Sequence, residues 1–175
     1  MKTFSFLKRI LSRVLSVGML FFFVIGCSES TEDPNKEIVK EVYQKAINAH
    51  NIEYLNSMLA DNYTRHSQSS PPGMQEITNK EIFLNFIETH FTAFPDWNEK
   101  IEFMVAEDDK VAFITTGTGT NTGNLGDMPA TGKSVNIQNF IVHRIDNNNK
   151  IAETWVLWDN VAFLSQLGLY PPATE

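Results

Sequence analysis

The chain has 175 residues, 42% of them hydrophobic and 20% charged, the make-up of one ordinary folded domain and not of a disordered, collagenous or multidomain chain. Its net charge is −7, but the first 26 residues carry four bases (Lys2, Lys8, Arg9, Arg13) and no acid, leaving 10 bases against 21 acids in the remainder, so no nucleic-acid partner is expected. One cysteine, Cys27, allows no internal disulfide, and four histidines without a second thiol give no zinc framework.

In chain order, residues 1–13 are basic and Val14–Gly26 form an apolar run of 13 residues, too short for the ~20 residues of a membrane-spanning helix. This pattern predicts a signal peptide over residues 1–26. The run closes on Val24-Ile25-Gly26-Cys27, which resembles the bacterial lipobox, with Cys27 as the lipidated residue and the lipid as the membrane anchor. A plain cleaved signal and an uncleaved anchor are the alternatives. Residues 27–35 then form the lipidated end and a polar, acidic linker, and residues 36–170 form the folded domain. Ser28 directly after Cys27 resembles the sorting signal for the outer membrane, leaving open whether the domain faces the periplasm or the outside.

Asp33-Pro34 opens a predicted helix with apolar positions at the helical period through about His50, and a shorter helical segment covers Ile52–Leu59. Tyr63–His66 reads as a short strand and Ser67–Gly73 as a loop. Thr78 and Glu81 suggest a capping box for a helix whose apolar stripe runs Ile82, Phe83, Phe86, Ile87, Phe91 and Phe94, ended by Pro95. Beyond it the period becomes two: Ile101 to Val105, Val111 to Thr115, Val135 to Ile141, and Ile151 to Asp159. Glu107–Asp109 and Asp146–Asn149 predict hairpin turns between antiparallel neighbours. Thr116–Lys133, rich in glycine, reads as a long connection or a distorted strand pair. Helices followed by meandering strands predict an α+β fold, with helices on one face of a curved antiparallel sheet and an apolar interior suited to a small molecule.

Five segments in order, Phe94-Pro95-Asp96-Trp97, Gly119–Gly123, Pro129–Lys133, Ile151–Asp159 and Gln166-Leu167-Gly168, resemble those of SnoaL-like polyketide cyclases, also called SnoaL-like ester cyclases. The resemblance implies a cone-shaped α+β barrel of the nuclear-transport-factor-2-like kind. It also implies ring closure by intramolecular aldol condensation without metal or cofactor, an aspartate acid/base at Asp159, and a homodimer formed through the open sheet face. Asn121 stands where the family often has histidine, and an asparagine cannot titrate.

Asp159 shares a strand face with Trp155 and Leu157, so it is a base if that face is the interior. Alternatively it caps the segment Val161–Leu167. His66 follows a strand and precedes the proline loop, as a histidine does in many relatives, and either assists the base or bonds a loop backbone. Gln138 interrupts an apolar strand and either donates to an enolate oxygen or faces solvent. Trp97, Trp155 and Asn121 complete the expected substrate contacts. Three functions follow: an acid/base enzyme of the cyclase, isomerase or hydrolase type acting on a small apolar carbonyl compound, a non-catalytic lipoprotein holding a hydrophobic ligand in the same cone, or a structural or protein-interaction lipoprotein whose cone is filled by side chains.

Overall fold

Residues 32–170 are described by a computed structural model of the chain; the expected signal peptide over residues 1–26 and the expected lipidation site Cys27 lie outside the described residues. Asp33 caps the first helix, its Oδ1 accepting from the Asn35 N–H at 2.8 Å, and α1 runs Pro34–Val42 before widening into a π-helical turn, Tyr43–Ile47. Helix α2 is Ile52–Met58, and the chain passes directly into β1, Leu59–His66. A two-residue strand β2, Glu76–Ile77, precedes α3, Lys80–Ala93. The sheet is completed by β3 (Asn98–Glu107), β4 (Lys110–Thr120), β5 (Ser134–Ile145) and β6 (Ile151–Trp158), and α4 (Asn160–Leu167) ends the domain.

The expected α+β architecture holds: four helices pack on a curved six-stranded sheet of order β2-β1-β6-β5-β4-β3. Both predicted hairpin turns form. Asp108 and Asn149 adopt left-handed φ angles of +52° and +58°, which short polar side chains tolerate. Asp146 Oδ1 holds the second turn by accepting from the backbone of Asn148 and Lys150.

Three local expectations are corrected. The cap of α3 is Asn79 and not Thr78, with Asn79 Oδ1 accepting from Ile82 N–H at 3.0 Å. Strand β1 begins at Leu59 and pairs parallel with β6, because α3 and the whole β3–β5 meander separate the two and no hairpin joins them. Strand β4 continues regularly to Thr120 through Gly117 and Gly119. Those glycines are there for space: a Cβ on Gly117 would lie 2.5 Å from the Trp97 ring, and one on Gly119 would lie 2.9 Å from it. The indole therefore rests on bare backbone.

Alternation sorts the strands. Along β5, Val135, Ile137, Asn139, Ile141, His143 and Ile145 are buried, while the intervening residues lie on the outer face. The inward set meets Val39, Tyr43, Val111 and Phe113 in one core cluster, and Phe91, Phe94, Trp97 and Leu167 in another. On the outer face, register aligns Phe103, Ile114, Phe140 and Leu157 across four strands, with Val105, Ala112, Val142 and Trp155 in the next row. Among these, Phe103, Phe140 and Leu157 are at least half exposed.

His143 is buried beside the rings of Phe113 and Tyr43, and its Nδ1 pairs with Thr154 Oγ1 at 2.9 Å. Burial lowers its pKa from 6.5 to about 3, so the folded ring is neutral while the unfolded ring takes up a proton below pH 6.5. The unfolded chain then binds more protons, and stability that is complete above pH 6.5 drains away as the pH falls toward 3. The expected loss between pH 6.5 and 4 is on the order of 3 kcal/mol. Urea unfolding across that range should show this acid limb in the wild type and a flatter one in His143→Gln, which can still bond Thr154 but does not titrate.

Candidate active site

Between α3, the π-helical turn and the inner face of the sheet lies a cavity of about 700 Å³, within the range of small-molecule sites. Its wall is mainly apolar, built by Phe83, Phe86 and Ile87 of α3 and by Ile137, Ile141 and Val156 of the sheet. Loops 67–75 and 122–133 add Pro71, Met74, Leu125 and Met128. The helix supplies an apolar face because Phe83, Phe86 and Ile87 stand three and four residues apart, the spacing that puts side chains on one side of a helix.

Among the described residues, Glu99, on β3, is the one carboxylate on this wall. Its Oε1 accepts from the Trp97 indole Nε1 at 3.1 Å; its Oε2 accepts from the Thr115 hydroxyl at 2.6 Å and more weakly from the Asn139 amide at 3.4 Å. Burial raises the carboxyl pKa above the usual carboxylate value, against the opposing pull of these three donors. The backbone on either side of the carboxylate is clamped as well. Asn48, just after the π-helical turn, donates its amide to the Glu99 carbonyl and accepts from the Glu99 N–H at 2.7 Å. His50 bonds the Trp97 carbonyl at 2.9 Å and stacks on Phe91.

His90, from the last turn of α3, also lines the cavity and meets the Trp97 ring edge to face at 4.4 Å. Burial, reinforced by the nearby His50, lowers its pKa to about 4. The imidazole is therefore neutral near pH 7 and can donate a hydrogen bond without carrying charge. Glu99 and His90 thus flank one indole, a carboxyl group and a neutral imidazole in an apolar enclosure. Further along the wall, His143 and Thr154 form the pair described above, and Arg65 of β1 donates from Nη1 to Ser70 Oγ at 3.1 Å.

Of the residues expected from sequence, Trp97 lines the cavity. Strand β6 turns Thr154, Val156 and Trp158 inward, so the face shared by Trp155, Leu157 and Asp159 is the exposed one. Asp159 is the N-cap of α4, its Oδ1 accepting from Ala162 N–H at 2.9 Å, which is the second of its two readings. His66 lies on the outer side, stacked on Trp155 and paired with Glu153 at 2.9 Å, and Arg144 holds the other oxygen of Glu153 at 3.0 Å. Gln138 faces outward and its neighbour Asn139 takes the inward position. Asn121 is buried away from the cavity. It donates to the carbonyls of Ala93 and Gly123 and accepts from Thr131 N–H and Oγ1, so it ties the 122–133 loop to the end of α3.

Glu99 and His90 were missed for an identifiable reason. Glu99 sits in the polar run Asn98-Glu99-Lys100 and His90 among polar helix positions, where both read as solvent-facing. The usable signal was the pair Gly117 and Gly119, two residues apart on a strand, which marks a large side chain seated on the sheet.

Comparison with known proteins gives a consistent picture. The sequence profile described as SnoaL-like polyketide cyclase matches residues 37–167. Among solved structures the chain is similar to AclR from Streptomyces galilaeus, a candidate hydroxylase, with a TM-score of 0.68 and 22% identity over 81% of this chain and 85% of that one. It is likewise similar to IdmH from Streptomyces antibioticus, a candidate polyketide cyclase, with a TM-score of 0.65 and 24% identity over 78% and 100% of the two chains. A candidate polyketide cyclase from Acidithiobacillus ferrooxidans gives 0.68 and 25% over 79% and 97%. No curated protein matches the chain.

Proposed function

The chain belongs to the SnoaL-like polyketide cyclase family, and from that premise we propose that its cavity performs cofactor-free proton transfer at a carbon next to a carbonyl, with Glu99 as the base. The observation that carries this reading is a single carboxylate of raised pKa on an apolar wall, beside the neutral imidazole of His90. A carboxylate made more basic by burial is better matched to a weakly acidic C–H. It takes the proton and becomes a neutral acid, while His90 donates a hydrogen bond to the enolate oxygen. In a ring closure, the enolate carbon then bonds to a second carbonyl carbon of the same molecule. The alkoxide left there recovers the proton from Glu99.

The substrate class is a small, largely apolar carbonyl compound, in keeping with the wall. A second reading has its own support. Three donors already occupy the Glu99 oxygens, an arrangement that also suits a structural carboxylate in a non-catalytic binding lipoprotein. Deuterium exchange at the activated methylene of β-keto esters, followed by NMR, separates the two. Glu99→Gln should slow exchange by about a hundredfold or more. Asp159→Asn should leave the rate within about twofold, because asparagine caps a helix nearly as well as aspartate. The opposite pattern would return the role to Asp159, and no exchange in the wild type would favour the binding reading.

We further propose that the domain is exported and held in the bacterial cell envelope by lipid on Cys27, a reading supported by sequence: the basic residues 1–13, the apolar run Val14–Gly26 and the lipobox-like Val24–Cys27. Intact mass of the membrane-extracted protein should carry the lipid increment, and Cys27→Ser should lack it. For the two apolar rows of the outer sheet face, the proposed occupant is a second copy of the chain. Sedimentation should give a dimer for the wild type, with Phe140→Lys shifting it to monomer.

A further inference from the structure

Arg65 is 4% exposed, and its side chain faces the cavity; among the described residues it makes one hydrogen bond, to Ser70 Oγ. Phe86 and Trp158 flank the guanidinium, with ring centroids 5.1 and 5.8 Å away. Among the described residues no carboxylate lies within salt-bridge distance of it. The contrast with the other side of the same sheet is direct. There His66, the next residue along β1, and Arg144 share the carboxylate of Glu153. The strand next to Arg65 offers it Thr154, whose hydroxyl is already bonded to His143.

A guanidinium stays charged in any protein environment, and burying one without a counter-ion is costly. Aromatic rings on its flanks recover part of that cost and also hold the planar fork in one orientation. A fork held in this way, with donors unused and facing an apolar chamber, matches a planar oxyanion arriving from solution.

We infer that the ligand of this cavity is an apolar molecule bearing a carboxylate, and that the carboxylate docks on Arg65. The docking site lies on β1, separated from Glu99 on β3 by strands β6, β5 and β4. Four inter-strand spacings of about 4.8 Å, roughly 19 Å in all, separate the two strands measured across the curved sheet, and the register adds an offset along them, since the row of Arg65 reaches β4 at Val111 and Glu99 pairs with Gly117. The carboxylate therefore sits at the end of the ligand away from the proton transfer. That last placement rests on the reading of Glu99 given above; the Arg65 site itself does not.

Trp97 and Trp158 both line the cavity, so tryptophan fluorescence of the full chain reports occupancy. The probes are octanoate, decanoate and dodecanoate with their methyl esters, which keep the chain and remove the charge. Wild type should bind at least one of the acids about tenfold or more tighter than its ester, the scale of a charge-assisted hydrogen bond. Arg65→Met should bind acid and ester alike with ester affinity retained, which also shows that the variant is folded, and Arg65→Lys should restore part of the preference. Equal affinities in the wild type, a preference that survives in Arg65→Met, or no binding by any acid would each overturn the assignment.

A measurement on the wild type alone guards against a variant that does not fold. The carboxyl carbon of bound labelled decanoate should titrate at lower pH than the free acid, and an unchanged or raised value would refute contact with the guanidinium. Glu99→Gln should keep the acid preference whether or not it loses exchange, so a failed base assignment and a failed anion site give different results.

Discussion

Strand β5 is paired along its length with β4 and over most of it with β6, and this double pairing leaves its alternation no freedom. A slip of one residue would turn Asn139 and His143 to water and drive Phe140 and Arg144 into the cavity. The same register fixes what its neighbours present. It puts Thr154, Val156 and Trp158 of β6 inside, and it lines up Phe103, Ile114, Phe140 and Leu157 outside. Cavity wall and outer apolar face are two readings of one pairing pattern.

The Glu99 end of the cavity depends on a second fixed piece, the Trp97 indole. The ring lies where Gly117 and Gly119 leave room for it, and its N–H reaches the Glu99 carboxylate. Its own backbone is tied through His50, and that of Glu99 through Asn48, to the segment following the π-helical turn. The extra residue in that turn, seen as Asn48 N–H reaching back to the Tyr43 carbonyl, changes where the chain leaves α1. Helix, turn and two strands thereby converge on a single carboxylate, and its raised pKa is a product of tertiary packing.

Charge is divided between the two faces of the sheet. On the outer side Arg144 and the His66 ring share the carboxylate of Glu153 in partial contact with water, where such pairs contribute little to stability. On the inner side Arg65 stands among aromatic rings with a serine hydroxyl as its hydrogen-bond partner. Among the described residues the sheet thus keeps an unpaired guanidinium at the cavity and a paired one outside, an expensive distribution for stability alone and an understandable one for a site that receives an anion.

Much of the architecture was legible because it is local. The helical period of α1 and α3, the period of two after Pro95, the Asp- and Asn-rich turns and the five family segments each depend on residues close in sequence, and together they specify an α+β cone. Hydrophobic period also identified which residues share a strand face, and Asp159, Leu157 and Trp155 do share one. Which face looks inward was beyond that reading, because the direction is set by β1 pairing parallel with β6 across more than eighty residues of chain and by the helices covering one side. The same distance hid most of the site: Glu99, His90 and Arg65 come from β3, α3 and β1, where nothing in their immediate sequence neighbours distinguishes them from surface polar residues, whereas Asn139 falls in phase with Ile137 and Ile141 on β5. Periodicity and turn chemistry act over a few residues and are written in the sequence. Burial, pairing partner and pKa arise only when distant segments meet, and those decided the chemistry of this cavity.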